Sequence, residues 1–577
     1  METKVQDRKV PKHLQKFVVD QQYEKYTPID HAVWRYVMRQ NHHFLKDTAH
    51  EAYVDGLKAS GIKIESIPNV DEMNESLSPF NWGAVNIDGF IPGVIFFDFQ
   101  AYGFLPIASD IRKLENIQYT PAPDIIHEAA GHAPILLDEK FSEYVKLFGS
   151  IGSKALATKE EHELFEAIRT YSNLLESGTG TAEEIEKSKE NFEQKQKEIK
   201  GLSEAEKISR LYWWTVEYGL VGTVDEPKIY GAGLLSSVSE GRNSLTAAVK
   251  KIPFDLHEVI HTGFDITKPQ PQLFVCRDFE ELIDAVNELA STMAYSVGGT
   301  ESLEKALKSN HTATIVYSSG LQVTGTLANL VKDQNGEVTY IGFAGPTALA
   351  FEDVQLRGHG KDTHTEGYSS PVGKIKGKHT PLEDWSDKEL AEHGVVLNSV
   401  TTLEFEGGIT ITGEVSNIVQ EKGKILLISF KKVRVIGQNL EQQFEEYDMA
   451  VGASIVSVYA GAADSEEFYA DLEEVEQKPL VQEELTHLEK LYGTVRDIRE
   501  NELDVNKAEQ RLEEVIADLS LHFPNDWLLR VEVLELLTQH NILASLRPLI
   551  GKELEILQSS DEEINVLVER GLKIIHH

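Results

Sequence analysis

The stretch Tyr119–Asp138, YTPAPDIIHEAAGHAPILLD, constrains this chain more than any other. It sets His127, Glu128 and His132 close together in an otherwise apolar run, behind Asp124 and Pro123. Ionisable side chains at that density point to a metal site, because a buried charge is costly unless it is paired or ligated. The spacing then limits the backbone. A zinc-hydrolase helix carries its two histidines at i and i+4, on one face. Here the second histidine stands at i+5. At about 100° per residue, five steps set the two side chains about 140° apart on a regular helix. Both reach one ion only if the helix starts or deforms between them. Pro123 and Asp124 can start a helix, Asp124 as cap or first-turn acid. Gly131 gives backbone freedom directly before His132.

Two histidines need a carboxylate from elsewhere. Leu211–Leu220 is a nearly all-apolar helical segment with one acid, Glu217. Arg210 and Lys207 are poorly spaced to pair with it along a helix. His127, His132 and Glu217 would make a facial triad with open positions, the arrangement expected for non-haem Fe(II) oxygen chemistry. Ser236 and Ser237, on a Gly-rich turn, can supply supporting hydroxyls. Arg112 can clamp a carboxylate with two parallel hydrogen bonds. One ring among Phe96, Phe97 and Phe99 can stack on a flat cofactor. His42 and His43 point different ways on any regular element and make a poor metal pair.

The whole chain has 577 residues, too many for one core, and about three or four domains are expected. A net charge of −38 argues against nucleic acid and anionic membrane surfaces as partners. No apolar run is long enough to span a bilayer. The charged start METKVQDRKVPKHLQK lacks the apolar core of a secretion signal. The single cysteine, Cys276, rules out an internal disulfide framework, and a cytoplasmic location is expected. Residues 1–60 read as helical, with a helix entry at Tyr26–Asp30 and Asp30 as its cap. Residues 61–118 read as short strands and turns. Residues 158–200 read as a solvated helical hairpin broken at SGTGTAEE.

Three segments now combine: YTPAPDIIHEAAGH, LYWWTVEYGL and IYGAGLLSS, in that order. Together they resemble the pterin-dependent aromatic amino acid hydroxylases, over roughly residues 15–300. The resemblance implies a mainly α-helical catalytic domain of that type and an Fe(II) site of His127, His132 and Glu217. Tetrahydropterin (tetrahydrobiopterin or a related pterin) would be the reducing cofactor, O2 the co-substrate and an aromatic amino acid the substrate. It puts Arg112 on the amino acid carboxylate, helped by Thr120 and Ser236, with Asp124 and Ser236 as supports behind the ligands. Pro123 and Trp213 match positions lining the aromatic pocket, and Tyr212 the aromatic residue beside the iron. Glu128 matches an acid near the pterin, and Phe96 the stacking phenylalanine. Trp213-Trp214 resembles the phenylalanine and tyrosine branches, so phenylalanine is the expected substrate, with tryptophan or tyrosine as alternatives. HEAAGH departs from the bulkier residues usual between Glu and Gly, which could widen the site. A metal-dependent hydrolase using His127, Glu128 and His132 competes, but the i+5 spacing speaks against it. A non-catalytic binding protein that keeps the fold is the third reading, and the intact ligand set opposes it.

The resemblance stops near residue 300. Beyond it, TIVYSSGLQVTGTLANLVKDQNGEV and TLEFEGGITITGEVSNIVQEKGKI match at an offset of 88 residues. Thr324, Gly325 and Asn329 recur as Thr412, Gly413 and Asn417. Alternating β-branched and polar residues with Gly turns read as strands. The expectation is two related, barrel-like β units, joined by a Gly-, His- and Lys-rich loop over 357–397. His359, His364 and His379 in that loop are a candidate second metal site. Residues 463–577 are acidic with helical periodicity, and read as a bundle for self-association or a protein partner. The expected domains are therefore 1–305, 306–462 and 463–577.

Overall fold

The computed structural model describes residues 9–87, 91–118, 123–177, 180–266, 268–471, 484–501 and 505–575. Its first organising element is the long helix Pro28–Thr48. Thr27 caps it, and Asp30 closes the capping box by accepting from the Thr27 N–H. The entry lies where expected, but the cap is Thr27 and Asp30 sits three residues in. Ala32, Val33, Trp34, Tyr36, Val37 and Met38 are all buried. Asp30, His31 and Arg35 are buried among them, so this stretch is enclosed on every side and must be covered on every side.

One cover is the rest of the N-terminal half. Strands β1 (Gly83–Ile87) and β2 (Phe104–Ala108) pair in parallel, linked by the helix Gly93–Ala101. The aromatic run in 61–118 is thus helical, not a strand or turn. Parallel neighbours need a crossover, and this run supplies it. Strands β3 (Leu220–Gly222), β4 (Pro227–Ile229), β5 (Lys250–Pro253) and β6 (Gln272–Cys276) form a second small sheet in the order β4-β3-β6-β5. The hairpin expected over 158–200 is present as helices Lys159–Ser177 and Ala182–Glu198.

The β region begins with β7 (Thr312–Tyr317), β8 (Leu321–Lys332), β9 (Val338–Phe351), β10 (Val354–Gln355) and β11 (Gly367–Pro371). It continues with β12 (Val400–Glu404), β13 (Thr410–Glu421), β14 (Lys424–Gly437), β15 (Leu440–Ala450) and β16 (Ile455–Ala460). One sheet runs β10-β9-β8-β7-β16 with β11 on β9, and the other runs β12-β13-β14-β15. These are open sheets, not barrels. The cross-strand pair Thr314–Thr324 shares a hydroxyl hydrogen bond of 2.8 Å, and Thr402–Thr412, 88 residues on, shares one of 3.0 Å. Register shifts at 324/326, 327/329 and 331/332 of β8 recur at 412/414, 415/417 and 419/420 of β13. The segment 357–397 is more than a loop. It supplies β11 and the helix Asp387–Glu392, and it buries Ile375, Leu382, Trp385 and Leu390 in the second unit's core.

Helices His487–Glu500, Val505–His522, Leu528–Gln539, Arg547–Ser560 and Glu562–Ile575 form the other cover. Leu491, Val495, Leu528, Leu529 and Val568 belong to the same hydrophobic cluster as Trp34 and Val37. Part of the apolar surface of these helices is therefore used on the helix Pro28–Thr48 of the same chain. Buried charges set the register of this contact. Arg35 donates from Nε and Nη2 to Glu532, at 3.0 and 2.6 Å. Arg499 reaches Glu532 at 3.2 Å and Glu535 at 3.0 Å, and Arg39 pairs with Glu535 and Glu65. Burial pushes the Glu532 carboxyl up, but Arg35 and Arg499 outweigh this and hold it well below the usual glutamate range.

Removing one partner leaves the others buried and uncompensated, so Glu532→Ala should destabilise the protein by about 3–5 kcal/mol. A denaturant midpoint measures this, and a loss under about 1 kcal/mol would show that the network does not hold the helices. The Glu532 carboxyl is depressed in the fold, so its stabilisation is complete above the unfolded value near 4.5 and is lost as pH falls below it. The stability gap between wild type and Glu532→Gln should therefore be constant from neutral pH down to about pH 5 and close under more acidic conditions.

Candidate metal centre and active site

The i+5 spacing is resolved by the backbone. Ile126–His132 is wound as a π-helix, and so is Trp213–Glu217, which ends on the third ligand. The i→i+5 ladder of a π-helix returns position i+5 to the face of position i. His127 and His132 therefore share a face that an α-helix would separate. In the second segment the Tyr218 N–H donates to the Trp213 carbonyl, an i+5 bond of 2.9 Å. Asp124 starts the first segment, its carboxylate accepting from the His127 N–H at 3.1 Å. Gly131 acts through space and not through backbone freedom. A Cβ there would lie 2.6 Å from the Ala232 carbonyl oxygen. Gly231 does the same against the second segment, where a Cβ would lie 2.5 Å from the Glu217 carbonyl oxygen. These two glycines let the short helix Ala232–Ser236 close on both π-helices.

Three donor atoms converge where the helices meet. Glu217 Oε2 lies 3.2 Å from His127 Nε2, and Glu217 Oε1 lies 3.2 Å from His132 Nε2. Adjacent ligands around an ion, at bonds of about 2.1 Å and right angles, stand about 3 Å apart. His132 Nε2 is buried with no hydrogen-bond partner among the described residues. Two imidazoles and a carboxylate, one nitrogen of them orphaned, fit a divalent ion such as iron. Arg210 is engaged by Glu206 at 2.7 Å and does not neutralise Glu217. Burial raises the Glu217 carboxyl, while His127 and His132 facing it lower it further, to well below the usual range.

The surrounding groups orient the ligands. Ser236 Oγ donates to the Ala232 carbonyl at 2.8 Å and lies 3.2 Å from His127 Nδ1. With its proton so directed, the hydroxyl accepts from Nδ1–H, and Nε2 keeps its lone pair for a metal. Ser237 instead accepts from the Glu240 N–H. Arg112 Nε and Nη2 donate to Asp124 at 2.8 Å each, and the Arg112 backbone N–H adds a bond of 2.9 Å. Burial raises the Asp124 carboxyl, and the Arg112 charge and hydrogen bonds more than reverse it. Two of the five guanidinium donors are spent on Asp124, which leaves three for another carboxylate.

Glu128 is buried, with its carboxylate 3.8 Å from His132 Nε2. Burial, with Glu217 and Asp124 nearby, pushes its carboxyl up to about 8 against the pull of His132. Tyr212 is buried against Phe96, Phe97 and Phe148, and its hydroxyl accepts from Gln100 Nε2 at 2.7 Å. Gln100 has only one sequence signal, a lone amide closing an apolar helix. Phe99 is fully buried in a separate cluster, and Phe97 is wedged against Gly152. Phe96 and Phe97 are both half-buried, and both meet Tyr212 edge-on, at 5.8 and 5.3 Å between centroids. Trp213 stacks between Tyr218 and Phe264, at 4.6 and 4.4 Å between centroids. Nothing in the sequence marks Phe264. Pro123 is exposed, and Thr120 lies outside the described residues. Ala129 and Ala130, the small residues of HEAAGH, are buried.

Residues 15–176 and 198–300 match the family model of the biopterin-dependent aromatic amino acid hydroxylases. The match covers the N-terminal region and a little under half of the chain. The unmatched residues between the two blocks coincide with the helix Ala182–Glu198 of the exposed hairpin. Phenylalanine-4-hydroxylase of Ralstonia nicotianae is 29% identical over 271 residues, 47% of this chain and 72% of the relative. The enzyme of the same name from Pseudomonas aeruginosa is 29% identical over 270 residues, 47% of this chain and 86% of the relative. The crystal structure of Chromobacterium violaceum phenylalanine hydroxylase with iron(III) and 7,8-dihydrobiopterin is 27% identical, covers 48% of this chain and 85% of its own, and has a TM-score of 0.38. No helix among the described residues is long and apolar enough to cross a membrane.

Glu217→Ala should abolish tight iron binding at this site with the circular dichroism spectrum unchanged; an iron content equal to that of the wild type would remove Glu217 from the ligand set. Ser236→Ala should weaken metal binding about 10- to 100-fold through the loss of the His127 orientation.

Proposed function

We propose that the protein is a non-haem iron, tetrahydropterin-dependent monooxygenase that hydroxylates the ring of a free aromatic amino acid, converting L-phenylalanine to L-tyrosine. The observation that carries this is the triad of His127, His132 and Glu217 on two π-wound helices, inside the region that matches the pterin-dependent family. When bound, the iron supplies open positions for O2, and the pterin supplies the two electrons the reaction needs.

The chain's own residues bind, orient and exclude water. Arg112, held flat by Asp124, presents its remaining N–H groups to the substrate carboxylate, helped by Ser236. Trp213, fixed between Tyr218 and Phe264, and Pro123 wall the aromatic ring. Phe96 offers its face to the pterin, and Glu128 stands beside it as a protonatable acid. Tyr212, its hydroxyl tied to Gln100, keeps the metal's apolar side dry. Phenylalanine is favoured over tryptophan because Trp213 stands where the tryptophan branch carries Phe, and the relatives named above act on phenylalanine.

The same proposal takes residues 1–305 as the catalytic unit, 306–462 as two copies of one β unit, and 463–577 as a helical unit. The recurrence of the Thr–Thr pair and of three register shifts at the 88-residue offset supports the duplication.

The test is product formation by Fe(II)-loaded protein with tetrahydropterin and O2, with Phe, Tyr and Trp offered separately. Tyrosine from Phe, dependent on both iron and pterin, is the expected result. Preferred turnover of Trp or Tyr would overturn the substrate, and hydrolytic activity with zinc alone would overturn the reaction class. Phe96→Ala should raise the KM for tetrahydropterin roughly tenfold, about 1.4 kcal/mol of lost stacking, with the KM for Phe little changed. Equal change in both KM values would show that Phe96 shapes the site without stacking on the pterin.

A further inference from the structure

The β region holds a second point where metal-ligating side chains converge. His359 and His364 follow β9 and are pinned back onto it. The Leu349 N–H donates to the His359 carbonyl at 2.9 Å, and the Thr347 N–H donates to the His364 carbonyl at 3.0 Å. Their rings stand nearly parallel, 14° apart with centroids at 5.8 Å. Asp448 arrives from β15, in the other sheet. Its Oδ2 lies 3.5 Å from His359 Nδ1 and 3.8 Å from His364 Nε2. Its Oδ1 accepts from Ser429 Oγ, which fixes the carboxylate. His379, the third histidine of the segment, is exposed and takes no part.

These distances are too long for Asp–His hydrogen bonds. Where this chain makes such bonds they are short: 2.7 Å for His13–Asp98 and 2.6 Å for His487–Asp518. His359 Nδ1 and His364 Nε2 are buried without hydrogen-bond partners, on side chains only 13% and 11% exposed. Lys361, between the two histidines, does not fill the gap, because it pairs with Asp471 at 2.9 Å. Two buried ring nitrogens and a carboxylate oxygen thus converge within 4.8 Å of one another, the two nitrogens with no hydrogen-bond partner among the described residues. Ligands of a tetrahedral zinc ion, at bonds of about 2.0–2.1 Å, stand about 3.4 Å apart. The observed spacing is that of a ligand set slightly relaxed around an ion.

We propose that His359, His364 and Asp448 form a second metal site, for a divalent transition ion of the zinc type, that ties the two β sheets together. Imidazole ligands disfavour magnesium and calcium. The ligands come from both sheets, so the ion acts as a cross-link, and three protein ligands leave a fourth position for water.

The test is a metal count on the full-length protein, stripped with chelator and titrated with Zn2+. The Glu217→Ala variant isolates the second site. It should retain one equivalent of zinc, and zinc should raise its melting temperature by several degrees. Adding Asp448→Asn, an isosteric change, or His359→Ala with His364→Ala should remove that equivalent and the thermal shift together. A Glu217→Ala protein that binds no zinc at micromolar concentration, or that keeps its equivalent when His359 and His364 are both replaced, would overturn the proposal. Should Glu217→Ala not fold, the wild-type count decides: His359→Ala with His364→Ala must lower it by one equivalent, and an unchanged count refutes the site.

Discussion

Three buried lone-pair donors cannot share a few ångströms without something positive between them. His127 Nε2, His132 Nε2 and Glu217 do so, and most of the catalytic half is arranged to make it possible. Two helices are wound in the rarer π form. Gly131 and Gly231 give up their side chains so that a short helix can press on both. The Ala232 carbonyl takes the Ser236 proton, Ser236 takes the His127 proton, and the ring nitrogen facing inward is left bare. Every step in that relay is a hydrogen bond whose direction is forced by the one before it. The local conformational cost of the π turns is offset by the metal affinity they create, which is the usual reason such turns persist at functional sites.

Much of this was legible from residue spacing alone. The i+5 interval excluded a regular helix and required a deformation, and the lone acid in an apolar helix identified Glu217. What could not be read was the form of the deformation. A start at Pro123, freedom at Gly131 and continuous π winding all satisfy the same spacing, and only the packing of Ala232 against Gly131 selects among them. Residues that act through contact instead of chemistry were also invisible. Gln100 and Phe264 hold Tyr212 and Trp213 from distant positions, and neither stands in a pattern. The helix Gly93–Ala101 was misjudged because aromatic and β-branched residues favour strands locally, and the need to cross between β1 and β2 overrides that preference.

Periodicity found the C-terminal helices but could not say what they cover. Their apolar faces pack on the helix Pro28–Thr48, which is buried on all sides because both halves of the chain use it. Tyr36 shows the coupling most directly. Its hydroxyl donates to the Leu567 carbonyl at 2.7 Å, and its ring meets Trp527 edge-on at 5.1 Å. Arg570 in turn donates to the Val238 carbonyl at 3.2 Å, two residues beyond Ser236. The last helix therefore touches the segment that positions the His127 support, so the helical unit is mechanically part of the catalytic half.

Three buried polar clusters in this chain can be compared by their balance of donors and acceptors. At the helical interface, Arg35, Arg39 and Arg499 face Glu65, Glu532 and Glu535, and each acceptor meets a guanidinium donor. Every carboxylate of that cluster is paired within the protein, although Arg499 Nε has no hydrogen-bond partner among the described residues, and the cluster serves to fix geometry. At His127, His132 and Glu217 the acceptors outnumber the donors, and the arginine that could correct this, Arg210, is held by Glu206. At His359, His364 and Asp448 the imbalance repeats, and the nearby Lys361 is again drawn off by an acid, Asp471. A chain with 56 basic residues does not lack cations to place at these points. Leaving two histidine–carboxylate clusters uncompensated, with the neighbouring cation engaged elsewhere in each, marks both as places where the missing positive charge comes from outside the chain.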